Sequence, residues 1–476
     1  MITKEEIQAK AQEFEIHPTN VERDYVFGWF LFGLFTASAI KDEIFLKGGN
    51  ALRKGYFQNT RFSSDLDFGI EGDIDQRVLL SEVNKVCDFI HEKNGVTFLN
   101  SDNKIEEKFL ASEAPIPGLK VYEVRIYFKD FNGGSDSMKV RISMDVTRFD
   151  RVLLPIQSLD LIHPYSDSTE VVCQIRCMKL EEIIATKLKC LMQRQHAPDL
   201  FDYVYSVRLL GGSLNKEEVV EALVRKTIFS RNPHTLKEIL STTAFDYFRL
   251  FWDKGIVCVK QIIIDVEEAI STFVADLDEL FSIYPDNGYA RFVYFPAEMR
   301  VKVMKAGRDK TLLRVVYNNA ERMIEPYSLK YLEKKSGEEK EYFYVFNKSG
   351  GNSVPGIRSL VSSGFQSLEN TEENFIPQYQ IELSKAGEIP ENPYLFDPNR
   401  PVKAPRLRIV KSVFSVKTRQ NRSSFSGGLK YSYQCSICGK KITKNKQDSI
   451  IGSHKSKGNN YYKCPGRFGV YLGVHY

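Results

Sequence analysis

In Asp65-Leu66-Asp67-Phe68 two carboxylates alternate with two large apolar side chains. Residues two apart share a face of an extended chain, so this alternation predicts a short β-strand with one face in a core. The other face carries two negative charges side by side, which repel unless a cation lies between them. Hard oxygen donors of this kind suit Mg²⁺ (or Mn²⁺), which is commonly held by one or two carboxylates together with substrate phosphates.

The flanking sequence extends the pattern. Lys47-Gly48-Gly49-Asn50-Ala51-Leu52-Arg53-Lys54 reads as a glycine turn followed by a short helix. Without a Cβ, Gly48 and Gly49 let backbone N–H groups approach a phosphate. Residues 4–16, 21–40 and 76–93 have helical spacing, and 121–128 and 138–146 read as strands joined by Asn132-Gly133-Gly134. In the last strand Met138, Val140, Ile142, Met144 and Val146 share one face. Arg141, Ser143, Asp145 and Thr147 share the other, so Asp145 is a candidate third ligand for a two-cation site.

The order of these parts resembles the nucleotidyltransferase fold of polymerase-beta-like enzymes. Val21-Glu22-Arg23-Asp24-Tyr25, Phe45 to Leu52, Arg61-Phe62-Ser63-Ser64-Asp65-Leu66-Asp67, and Glu182 to Leu188 followed by Arg194 and Asp199-Leu200-Phe201-Asp202 resemble the AbiEii/AbiGii nucleotidyltransferase toxins. The resemblance covers roughly residues 20–210. It implies that Gly48, Gly49 and Asn50 cradle nucleotide phosphates, that Asp65 and Asp67 bind metal, and that Asp145 polarises an acceptor hydroxyl. It further implies that Lys187 neutralises triphosphate charge while Asp199 and Asp202 complete the helical side of the site. Lys54 and Arg61 read equally as solvated cations and as substrate contacts, and Ser64 is counted with the latter. Two positions depart from the family pattern: Asn50 stands where Thr or Ser is commoner, and Pro198 where a basic residue usually precedes the first aspartate.

Further along, residues 180–281 are mostly helical and 314–365 return to short strands. Arg314 to Tyr317, Arg322 to Tyr327, Tyr342 to Phe346 and Gln366 to Glu369 resemble a WYL domain, a small SH3- or Sm-like β module. The ligand arginines of that family are missing from Leu360 to Phe365. Five prolines within 385–407 mark a linker. The tail carries Cys435-x-x-Cys438, His454 and Cys464, four N/S ligands for a structural Zn²⁺, with His475 as the alternative imidazole. It resembles a short zinc ribbon.

Charge separates the tail from the rest. Residues 401–476 hold 16 Lys and Arg against one acid, a net of +15, whereas 1–400 hold 50 against 60, a net of −10. A basic tail interleaved with aromatics points to a polyanionic partner, with RNA such as tRNA favoured. The most apolar stretch, Tyr25 to Ile40, falls short of the roughly 20 residues a membrane span needs. No membrane role and a cytoplasmic location with reduced thiols are the expectation.

The fold class expected is therefore α+β and multidomain. It comprises a nucleotidyltransferase domain (1–175), a helical extension (176–295), an SH3/Sm-like β domain (296–384), a linker (385–429) and a basic zinc ribbon (430–476). The activity expected is transfer of a nucleoside monophosphate from an NTP to an acceptor hydroxyl on RNA or protein. The setting expected is a toxin–antitoxin or abortive-infection system with a cognate antitoxin. The rival reading is a nucleic-acid-binding regulator on a degenerate transferase scaffold.

Overall fold

The structure, a computed structural model, describes residues 1–72, 74–109, 120–131, 138–147, 152–194, 196–229, 232–259, 262–284, 294–333, 339–351, 354–379, 381–383, 386–387, 430–435, 437–444, 450–454, 464 and 469–475. The turn expected at 132–134 and most of the proline-rich linker lie outside these residues. The chain divides into two compact units, one of Met1–Leu110 with Lys120–Pro390, the other of Ala111–Leu119 with Glu391–Tyr476.

The first unit opens with helices α1 (Lys4–Phe14) and α2 (Pro18–Ala37). Helix α2 begins three residues before the sequence suggested. Pro18 sits in its first turn, where its missing N–H costs nothing, and the His17 ring accepts the Thr19 N–H. Val26, Phe27, Trp29, Phe30, Leu31 and Leu34 are all buried, so α2 is apolar on several sides because it runs through the core. Among the described residues no helix is long and apolar enough to cross a membrane.

A seven-stranded sheet follows, built from β1 (Ile44–Lys47), β2 (Asp65–Ile70), β3 (Lys104–Phe109), β4 (Lys120–Lys129), β5 (Lys139–Thr147), β6 (Gln157–Asp160) and β7 (Gln174–Cys177). Its spatial order is β3-β4-β5-β2-β1-β7-β6, with β2–β5 and β1–β7 parallel. Leu66 and Phe68 of β2, Ile142 and Met144 of β5, and Val124 and Ile126 of β4 form one core with α2 and with α4 (Gln76–Asn94). The short helix α3 (Gly48–Ala51) leaves β1 directly and continues as one wide turn over Leu52–Tyr56.

Helices α5 (Leu180–Gln193), α6 (Ala197–Leu210), α7 (Lys216–Arg225), α8 (Pro233–Ser241), α9 (Asp246–Gly255) and α10 (Val266–Leu280) share that core. Helix α11 (Ala297–Asp309) covers a second sheet of β8 (Thr311–Tyr317), β9 (Ala320–Glu333), β10 (Glu339–Gly350), β11 (Gly356–Leu360) and β12 (Phe365–Asn374). This sheet is antiparallel in the order β11-β10-β9-β8-β12. Asn318 and Asn319 both take positive φ (50° and 60°), the backbone a two-residue β8–β9 hairpin requires. Arg300 is buried against Glu341 at 2.6 Å, and Glu341 also accepts the Phe295 N–H, which pins α11 to β10.

The second unit contains β13 (Lys430–Cys435), β14 (Lys441–Lys444) and β15 (Gly469–His475), antiparallel in the order β14-β13-β15.

Candidate active site and candidate metal centre

Parallel pairing of β2 with β5 decides where the acids meet. Asp67 lies directly opposite Asp145, and Asp65 opposite Ser143. Adjacent parallel strands are about 4.8 Å apart, so the three carboxylates occupy one small patch of one sheet face. On the other side of β2, Lys47 is the cross-strand neighbour of Asp67, and beyond β5 the neighbour of Asp145 is Glu123. Lys47 and Glu123 were not singled out from sequence. Register alone reveals them, although Lys47 stands next to the glycine turn.

Electrostatics single out Asp67. Burial, then the charge of Asp65, push its carboxyl up to about 6, against relief from Lys47 and Lys187. Asp145 adds to the upward pressure. Asp65 is instead supported by hydroxyls: Ser63 donates to its Oδ1 at 3.1 Å and Ser64 at 3.5 Å. Ser63 makes the shorter bond, and Ser64, counted with the substrate contacts from sequence, also turns to Asp65.

The glycine turn fits tightly against this patch. Gly48 has φ +70°, and a Cβ there would lie 2.3 Å from Asp67 Oδ2. A Cβ on Gly49 would fall 2.7 Å from Arg61 Nη2 and 2.9 Å from Ser63 Oγ. These glycines are therefore required for packing the turn onto Asp67 and Arg61, whatever else they bind. Asn50 is fully buried, and its Nδ2 donates to the Asp65 carbonyl. Its amide thus ties the turn to β2 and is not available to reach into the cleft for a phosphate.

The helical side supplies fixed positive charge. Lys187 on α5 donates to Asp202 Oδ2 at 2.7 Å and Asp199 Oδ1 at 3.1 Å. Arg61 grips Asp202 with two parallel bonds of 2.7 and 2.8 Å. Asp199 and Asp202 are each 1% exposed, so they hold cations instead of meeting substrate. Both carboxyls are kept below their ordinary value: burial acts against ionisation, but the charges of Lys187 and Arg194 on Asp199, and of Arg61 and Lys187 on Asp202, outweigh it. Pro198 occupies the first turn of α6, and the missing basic neighbour is replaced by Arg194 from the end of α5, 2.9 Å from Asp199.

Lys54 is placed elsewhere. It is fully buried, with Nζ 3.0 Å from Asp24 Oδ2 and donating to the Asp24 carbonyl at 2.9 Å. Arg53 and the Tyr165 hydroxyl complete the shell around Asp24. A substrate contact for Lys54 is thereby corrected: its ammonium closes a buried ion cluster under α2. Burial, its largest influence, lowers its pKa to about 8.

In the second unit Cys435, Cys438, His454 and Cys464 present ligand atoms all within 4.8 Å of one another. Cys435 Sγ is 3.7 Å from Cys464 Sγ, and Cys438 Sγ is 3.3 Å from His454 Nε2. Tetrahedral Zn²⁺ with bonds of about 2.3 Å to sulfur separates two sulfurs by roughly 3.8 Å, so the donor set fits. Gly439 takes φ +67° and returns its N–H to the Cys435 carbonyl, forming the tight turn between the first two cysteines. The other ring nitrogen of His454 faces the Gly452 carbonyl at 3.0 Å, which orients Nε2 toward the cluster. His454 is thus gathered with the three cysteines.

Acids from two parallel strands, a glycine turn packed on them and buried lysine and arginine behind make a site suited to a divalent cation and phosphates. Residues 29–251, just under half of the chain, match the family model described as "Nucleotidyl transferase AbiEii toxin, Type IV TA system". That segment is similar to the AbiEii-type nucleotidyltransferase domain. Among solved structures, MenT4, a nucleotidyltransferase toxin from Mycobacterium tuberculosis H37Rv, is similar at 15% identity. The match covers 60% of this chain and all of that one, with a TM-score of 0.35. No curated protein matches the chain.

Proposed function

We propose that this chain transfers a nucleoside monophosphate from an NTP to an acceptor hydroxyl, and acts as the toxin of a toxin–antitoxin or abortive-infection system. The observation that carries this is the Asp67–Asp145 register with Asp65 on the same face. An Asp67 carboxyl whose ionisation is opposed by the charges of Asp65 and Asp145 fits Mg²⁺ or Mn²⁺. A divalent cation bound there would activate the attacking hydroxyl and stabilise the leaving pyrophosphate. The chain's own contribution is positioning and fixed charge. Asp145 would orient the acceptor hydroxyl. Lys187, held by Asp199 and Asp202, presents positive charge toward Asp67 for the triphosphate. The Gly48-Gly49 turn would lie along the phosphates. Ser63 and Ser64 fix the orientation of Asp65.

In the second unit four protein ligands would close the Zn²⁺ shell, so that site is structural. Lys440, Lys441 and Lys444 follow Cys438 closely in the chain, and Lys455, Lys457, Lys463, Arg467, Tyr461, Tyr462 and Phe468 of the tail lie outside the described residues. Together they favour RNA, such as a tRNA 3′ end, as acceptor over a protein side chain. The 311–374 sheet is proposed as the WYL-like module.

The test is incubation of the chain with each labelled NTP, Mg²⁺ and total RNA. Label on RNA is expected, lost in an Asp65→Ala, Asp67→Ala double variant. Overexpression should arrest growth with the native chain only; equal toxicity of the double variant would refute the enzymatic reading.

A further inference from the structure

Two arginines beside the carboxylates are left out of the account above. Arg23 projects from α2, and its Nε is buried with no hydrogen-bond partner. Arg141 lies on β5, exposed, on the same face as Ser143 and Asp145, two and four residues further on. The two guanidiniums are close enough that, after burial itself, the charge of Arg141 is what most lowers the pKa of Arg23. Glu22 and Asp65 oppose that effect; Glu22 accepts the Phe131 N–H at 2.8 Å, and Asp65 takes the Ser63 and Ser64 hydroxyls. Among the described residues neither Arg23 nor Arg141 is in an ion pair.

Arg53, Arg61, Arg194 and Arg300 each have a carboxylate at 2.6–2.9 Å. A partly buried guanidinium with an unsatisfied N–H beside a second one is costly without an anion. The bond from the Phe131 N–H to Glu22 ties the β4–β5 end to α2 and so holds the two arginines together.

We infer that Arg23, on α2, and Arg141, on β5, form a phosphate-binding pair beside the carboxylates. The inference rests on the nucleotidyl-transfer reading for which phosphates arrive there. These belong either to the nucleotide's triphosphate or to the acceptor RNA backbone. Planar guanidiniums suit either, because each offers two parallel N–H donors to phosphate oxygens.

Equilibrium binding tests this without turnover. The full native chain and the Arg141→Gln and Arg23→Gln variants are titrated with inorganic tripolyphosphate plus Mg²⁺, and separately with a labelled 12-nucleotide single-stranded RNA over a salt series. Arg141 is exposed, so its variant leaves the core intact even if Arg23→Gln perturbs α2. About tenfold weaker tripolyphosphate binding with RNA unchanged assigns the pair to the nucleotide. Weaker RNA binding, with a salt slope shallower by roughly 0.7 per arginine, assigns it to the acceptor backbone. Both probes bound with native affinity by Arg141→Gln would overturn the inference. Native binding that weakens in the variants, with no label transfer in the NTP assay, would sink the proposed activity and leave the pair standing.

Discussion

Replacing Asp67 by Asn should stabilise the metal-free protein while abolishing transfer. Burial and the Asp65 charge raise the Asp67 carboxyl from 3.8 to about 6. Each pKa unit corresponds to about 1.4 kcal/mol, so ionised Asp67 costs up to about 3 kcal/mol, and partial exposure trims this to roughly 1–3 kcal/mol. Because the folded value lies above the unfolded one, the cost is absent below pH 4. It grows as pH rises through 6 and is complete by pH 7.5. Asn keeps the shape without the charge. Thermal melting of the chain in EDTA at pH 5, 6 and 7.5 should therefore show Asp67→Asn gaining on the native protein as pH rises, by a few degrees at most. Excess Mg²⁺ or Mn²⁺ at pH 7.5 should raise the native midpoint and leave the variant's nearly unchanged. Transfer by the variant should fall at least about 100-fold. A variant that melts at or below the native temperature at pH 7.5 without metal, or a difference independent of pH, would refute the view that these acids are held together at a cost.

Gly48→Ala should lose most transfer activity and melt lower, since its methyl meets Asp67 Oδ2 at 2.3 Å in a φ +70° backbone; the backbone alone costs roughly 1–2 kcal/mol, and comparison of melting with label transfer checks both effects. Asp202→Ala strands Arg61 in a buried setting, leaves Lys187 with Asp199 alone and should destabilise by about 3–5 kcal/mol, read as a lower denaturant midpoint, whereas Asp202→Asn should recover part of it. Lys54→Met should leave the affinity for tripolyphosphate unchanged while lowering stability through loss of the Asp24 bonds. Elemental analysis of the purified chain should find one zinc per molecule, and Cys438→Ser should reduce it and make the tail more sensitive to protease.

The Asp65–Phe68 alternation, the polar face of Arg141, Ser143 and Asp145, and the four N/S ligands of the tail were all legible in the sequence. Each follows from local periodicity or short spacing, which backbone geometry converts directly into a shared face or a chelating turn. What sequence left open was the fate of each charge. Lys54 and Arg61 looked alike as basic residues near the glycine turn. One is closed against Asp24 and the other against Asp202, 30 and 141 residues away in the chain. Likewise Pro198 removed an expected cation from its usual place, and Arg194 supplied it from the neighbouring helix.

By itself, then, the sequence determined which side chains share a strand face, because that depends only on a two-residue repeat. Tertiary structure alone decided that β2 pairs with β5 so that Asp67 meets Asp145, and which cations are spent on buried carboxylates. Those outcomes are set by register and packing between segments far apart in the chain, where a charge is stabilised only by whatever partner the fold brings to it.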